Sequence, residues 1–537
     1  MSHQLEPTYS KNDVEKGDEV VITQNTGTDG PPGESLHRGL KGRHVQMISI
    51  GGVIGTGLFL GTANALRHGG PAGLLIGYAA IGSLCYAVMV SLGEMVAHLP
   101  VAGGHITLAR RFVTPALGFA MGWNYWYNWV IVLPAELNAA AVLISYWSSA
   151  NPAIWITVCL VVAVLINLGG ARAYGEAEFW FAIIKVLTII GLIILGIIID
   201  CGGVPNGEYI GGRYWHNPGA FVQFLGIEGA KGRFLGTWAV LIQASFSYIG
   251  TEIVAIAAGE TKDPRKTLPR AIKNVYIRVT VTGLLVPSND KRLALGTGTA
   301  VSAPFVIAIQ DAGIKALPSI INACLLTSAW SAASSDLYTS SRALYGLALN
   351  GQAPAFLKRT NRWGLPYYCI AVGVAFSLLS YMSAGSKNAG TVFNYFANMT
   401  SVCGLLTWWG ICLTATRFYA GLKAQGIDRR QLPYRAPLQP YLAYYGLFFS
   451  SVVLFFNGWQ VFVRGQWDTS TFVTSYFPIW FFPILYGFYR FIWRRNERGP
   501  SKHEMDFVSG SREEQFFEDR EEPEAKGVGR KILAYVL

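Results

Sequence analysis

The stretch IGGVIGTGLFLGT, Ile50–Thr62, sets five glycines inside one apolar run. Glycine costs up to ~1 kcal/mol against alanine in a helix interior and frees the backbone to leave helical geometry. If a helix unwinds here at membrane depth, it exposes N–H groups, and the half-helix beyond turns its positive end toward an anion such as a carboxylate. If it stays intact, Gly51 and Gly55 form a small-xxx-small surface for close packing of a second helix. The stretch alone does not choose between the two.

Further along, SFSYIGTEIVAIAAGETKDP, Ser245–Pro264, places Gly250 and the acidic Glu252 in the middle of another apolar run. Two interrupted helices, five spans apart, are the pattern of inverted repeats that hold a site at the membrane midplane. Each interruption strengthens the reading of the other.

The whole chain has the composition of a membrane protein. Of 537 residues, 51% are hydrophobic and only 14% charged, and the mean hydropathy is positive. A helix needs about 20 residues to cross ~30 Å of hydrocarbon. Apolar runs of that order fall at 46–66, 72–98, 118–147, 152–169, 179–199, 235–258, 317–347, 365–383, 392–416, 441–463 and 470–493. A twelfth span is implied between Lys273 and Pro287, since without it the basic loops around Arg359 and Arg429 would lie on the side opposite to the others, against the positive-inside bias. That seventh span, VYIRVTVTGLLV at 275–286, holds only about a dozen residues, or ~18 Å of helix. Either it is a tilted helix whose Arg278 snorkels to the interface, or about ten residues of a full span are missing. The expected organisation is a polar cytoplasmic tail at 1–45, a membrane domain at 46–495 and a charged cytoplasmic tail at 496–537, with both termini inside.

Ionisable groups within membrane spans are costly, so each is a functional candidate. Glu136 in LPAELNAAA, Lys185 in EFWFAIIKVLTII and Glu252 stand out, with Asp336 in SAASSDLYTSSR as a fourth. A structural ion pair of Lys185 with Glu136 or Glu252 is the plain alternative to a proton-responsive role. Glu94, near the end of its helix, reads as an anchor for a loop. The seven cysteines form no CxxC pair and no metal-like cluster with histidine, so no metal or cofactor is expected. The net charge of +11 is accounted for by basic loops between spans, which gives no reason to expect nucleic acid as a partner. No HExxH, GxSxG or phosphate-loop pattern points to an enzyme, and no filter-like sequence points to a channel.

Taken together, GGVIGTGLFLGT, FSYIGTEIVAIAAGETKDPRKTLPRAI, GLLVPSND and TSSRALYGLA resemble the fungal amino acid permeases of the amino acid/polyamine/organocation superfamily, over residues 40–495. The resemblance implies an all-α integral membrane fold of twelve helices, with five-plus-five inverted repeats and broken first and sixth helices; against that pattern the seventh helix here is truncated. It implies proton-coupled import of an amino acid at the plasma membrane by alternating access, with the amino acid, the proton and the lipid bilayer as partners. By the family pattern, Val53, Ile54, Thr56 and Gly57 surround the substrate carboxylate, and Phe246, Ser247 and Ile249 face its amino group. Lys185 matches a lysine implicated in proton coupling, Glu252 matches the acidic residue of the sixth helix, and Glu136 joins them as a coupling candidate. The alternative is a transporter-like sensor that binds an amino acid without carrying it. Proline-like neutral substrates and acidic ones both remain open.

Overall fold

The computed structural model describes residues 55–58, 60–99, 101, 103–205, 207–252, 285–293, 303–361, 364–385 and 389–509. Val53, Ile54 and most of the seventh span, including Arg278, lie outside the described residues. Among those described, helices carry the fold and no strand occurs. They are α1 (Gly61–His98), α2 (Gly104–Phe112), α3 (Pro115–Ile144), α4 (Pro152–Leu168), α5 (Gly170–Asp200), α6 (Gly229–Tyr248), α7 (Pro304–Asp311), α8 (Leu317–Leu349), α9 (Tyr367–Ser377), α10 (Ala389–Ala424), α11 (Tyr441–Phe455) and α12 (Thr469–Gly487). The run α1 is two arms meeting at Gly70, which adopts φ 72° and ψ 178°.

Seven of the described helical stretches are long and apolar enough to cross a membrane, and α4 is a shorter apolar helix. The lipid solvent shows on their faces: Leu165, Leu187 and Ile194 of α4 and α5 are more than half exposed, an arrangement a water-soluble protein avoids. The runs α6 and α8 are long but too polar to qualify on hydropathy. For α8, burial explains how it is tolerated. Ser-rich α8 packs against α3, α4, α5 and α9, so its polar residues face protein rather than lipid.

At the centre is α3, packed on α8, α10, α12 and α4. It starts cleanly because Pro115 stands in its first turn and Thr114 caps it, the side chain accepting from Leu117 N–H at 3.1 Å. Its polar residues hold neighbours in register. Asn124 donates to Cys403 O at 2.9 Å and to Thr407 Oγ1 at 3.0 Å, tying α3 to α10. Glu94 does anchor a connection: its fully buried carboxylate takes a two-pronged grip from Arg429 at 2.8 Å per contact and accepts Ala436 N–H at 2.8 Å.

Residues 499–509 form a strap across one end of the bundle. Met505 and Phe507 are buried, Phe507 against Phe112 and Phe418, while Arg417 and Gln425 donate to strap carbonyls. Arg111 pairs with Asp506 at 2.8 Å. The N–H of Ser509 holds the Asp506 carboxyl well below the usual carboxylate range, with Val508 N–H and Arg111 adding to the effect. A carboxyl depressed in the folded state contributes in full above its unfolded pKa and loses that contribution as pH falls through the depressed value. Protease cleavage within 499–509 should therefore stay constant from neutral pH to about pH 5 and rise in stronger acid. Phe507→Ala should raise cleavage throughout; unchanged protection would mean the strap is held elsewhere.

Candidate functional site

Two backbone irregularities meet beside α3. On one side, residues Thr56–Leu58 form a single tight turn before α1 begins at Gly61. On the other, α6 ends at Tyr248, Ile249 is extended (ψ 141°), Gly250 takes φ 95°, and helical geometry resumes at Thr251 and Glu252. The φ of Gly250 lies where L side chains rarely go, so glycine is what lets the helix stop here.

The two breaks touch. A Cβ on Gly57 would stand 2.8 Å from Phe246 Cδ1 and 3.2 Å from Ser247 Cα. Ser247 Oγ is hydrogen-bonded to Tyr78 OH at 2.9 Å, and Tyr248 OH donates to Tyr78 O at 3.3 Å. The second arm of α1 therefore supports the α6 break. Phe246 stacks edge-to-face on Phe393 of α10, and Ile249 packs onto Gly404 of the same helix.

Each break also meets an acidic group. Thr56 Oγ1 donates to Glu136 Oε1 at 2.8 Å. Glu252 Oε2 accepts Gly250 N–H at 3.1 Å and Trp408 Nε1–H at 3.4 Å. The carboxylate at the sixth-helix break thus satisfies a donor that the break released.

Lys185 forms an ion pair with Glu178 at 3.5 Å, both side chains 1% exposed. Glu178 is held by Ser331 and Ser335 of α8, at 2.5 and 3.3 Å. Glu136 and Asp336 lie within electrostatic range of Lys185, and neither Glu136 Oε2 nor Asp336 Oδ2 has a hydrogen-bond partner among the described residues. One ammonium and three carboxyl groups are therefore gathered where α3, α5 and α8 meet, next to the Thr56 turn. Sequence reading missed Glu178 because it stands near the start of an apolar run, where a charge passes for an interfacial flank. Its spacing was the available signal: seven residues before Lys185 puts both on one face of α5.

The model of the family described as amino acid permease matches residues 44–499. The chain belongs to the amino acid permease family. It is 43% identical to the dicarboxylic amino acid permease of Saccharomyces cerevisiae, over 86% of this chain and 78% of that protein. It is 42% identical to the lysine-specific permease of the same yeast, over 86% and 77%, and 41% identical to the proline-specific permease of Emericella nidulans, over 89% and 88%. A crystal structure of a manganese transporter mutant from Eremococcus coleocola shares the fold, with TM-score 0.52 and 11% identity over 85% of this chain and 96% of that one. This permease is accordingly a multi-pass membrane transporter and not an enzyme.

Gly57→Val should force the two breaks apart. In the purified permease it should weaken amino acid binding by about tenfold or more, ~1.4 kcal/mol, and Thr56→Trp should do the same. Full affinity in both variants would show that the substrate lies elsewhere.

Proposed function

We propose that this permease couples the inward movement of an amino acid to a proton across the plasma membrane, with both termini and the segments 1–45 and 496–537 on the cytoplasmic side. Its architecture on this reading is twelve helices in five-plus-five inverted repeats, and the zwitterion binds between the broken first and sixth helices. Val53, Ile54, Thr56 and Gly57 would offer donors to the carboxylate, while Phe246, Ser247 and Ile249 would offer acceptors and cover to the ammonium. The contact between the Gly57 and Ser247 backbones supports that assignment, since one small molecule can bridge both.

The observation that carries the coupling is the buried charge balance. Lys185 is buried with Glu136, Glu178 and Asp336; fully ionised, the group would bear one positive and three negative charges. An unbalanced buried ion costs several kcal/mol. Each proton taken up by the cluster reduces the imbalance by one charge, and Thr56 at the first break is hydrogen-bonded directly to one of its carboxyls. Substrate arriving at that break changes the surroundings of Glu136, which links the two events. Glu252, bonded to the second break, is the other residue through which occupancy and protonation can communicate.

Relatives named for acidic, basic and imino acid substrates stand at 43, 42 and 41% identity, so overall similarity does not select the substrate. In permease-deficient yeast, a panel of labelled amino acids with and without a proton uncoupler tests the reading. Uncoupler, Lys185→Met or Glu252→Gln should each lower the accumulation ratio on the order of tenfold or more, because one proton moved through 100 mV stores ~2.3 kcal/mol. Accumulation indifferent to the uncoupler would remove the proton from the mechanism.

A further inference from the structure

Phe246 also borders a cavity of about 320 Å³, walled by α1, α6, α10, α12 and the segment around Asn457. Its size is at the lower end of small-molecule sites, roughly 300–1,000 Å³. Among the described residues the wall carries no aspartate or glutamate and one arginine, Arg67, which is exposed at the rim. Amide side chains supply much of the remaining polarity. Asn64 Nδ2 donates to Asn394 Oδ1 at 2.8 Å. Gln243 Nε2 lies 3.3 Å from His68 Nδ1, while Gln243 Oε1 is buried with no hydrogen-bond partner among the described residues.

We propose that this cavity is a second, outer amino acid subsite, and that it favours acidic amino acids over cationic ones. The proposal rests on the permease reading above, which puts the Arg67 end of the first span, and so this cavity, toward the exterior. The wall amides Asn64, Gln243, Asn394 and Asn398 offer carbonyl acceptors to an ammonium and N–H donors to a carboxylate. Carboxylates are met by the Arg67 guanidinium and by amide N–H groups, with no wall carboxylate to oppose them. A lysine or arginine side chain meets the same guanidinium as a like charge. Phe246 both lines the cavity and approaches Gly57, so the same ring borders the cavity and the Gly57–Ser247 contact. That arrangement separates selection by charge, in the vestibule, from recognition of the zwitterion at the breaks.

The test is equilibrium binding of labelled L-aspartate to the purified full-length permease in lipid nanodiscs, with L-lysine as competitor. The expected result is two saturable components. Arg67→Glu should weaken the outer one by about tenfold, the scale of one reversed charge at close range, and let L-lysine compete. Arg67→Ala should act in the same direction but less. Gln243→Met should weaken the outer component, and Thr56→Trp should remove the inner component alone. A single component insensitive to Arg67→Glu and Gln243→Met, or L-lysine competing as well as L-aspartate against the unaltered protein, overturns the subsite and leaves the permease reading standing. A chain that neither binds nor imports any amino acid brings both down.

Discussion

A helix that stops inside a bilayer must hand its backbone polar groups to other protein atoms, because lipid offers none and each orphan costs several kcal/mol. In this permease that constraint organises the surroundings of α6. Its backbone leaves helical geometry at Ile249 and Gly250, and Glu252 takes up the Gly250 N–H. The same carboxylate accepts from Trp408, which is fully buried on α10. With Ile249 seated on Gly404, the break fixes where α10 must run. Tyr78 then ties the second arm of α1 to Ser247 and Tyr248, so three helices are set by one interruption.

The polar helices pay for the site and the apolar ones shield it. Ser331 of α8 holds Glu178, Asn124 of α3 binds α10, and these side chains are buried. Around them α4 and α5 turn large aliphatic side chains outward. Fewer apolar residues on a helix thus mark a position nearer the chemistry, where neighbouring helices replace lipid.

One helix joins the cavity, the α6 break and the strap. At one end α10 lines the cavity with Ala397, Asn398 and Ser401; in the middle it meets the α6 break through Gly404 and Trp408; at the other end Gly421 lies under the strap beside Met505 and Phe507. Its 36 residues span ~54 Å at 1.5 Å each. A displacement of the α6 break is therefore felt along a single rigid element at both ends of the bundle.

The sequence alone determined the solvent, the class of fold and the location of the irregular backbone. Runs of about 20 apolar residues are a local property, and glycine clusters at Ile50–Thr62 and around Gly250 advertise departures from helix without any knowledge of neighbours. It also marked Glu136, Lys185 and Glu252 by the cost of charge in lipid. Partners were decided only by tertiary structure. That Lys185 faces Glu178, that Thr56 reaches Glu136 across 80 positions, and that Glu252 serves its own helix break all depend on how helices pack. So does the vestibule, whose amides and arginine come from four stretches widely separated in the chain. Apolar pattern records which residues leave water, but not which of them meet, because association between helices in lipid is settled by shape and hydrogen bonding rather than by hydrophobicity.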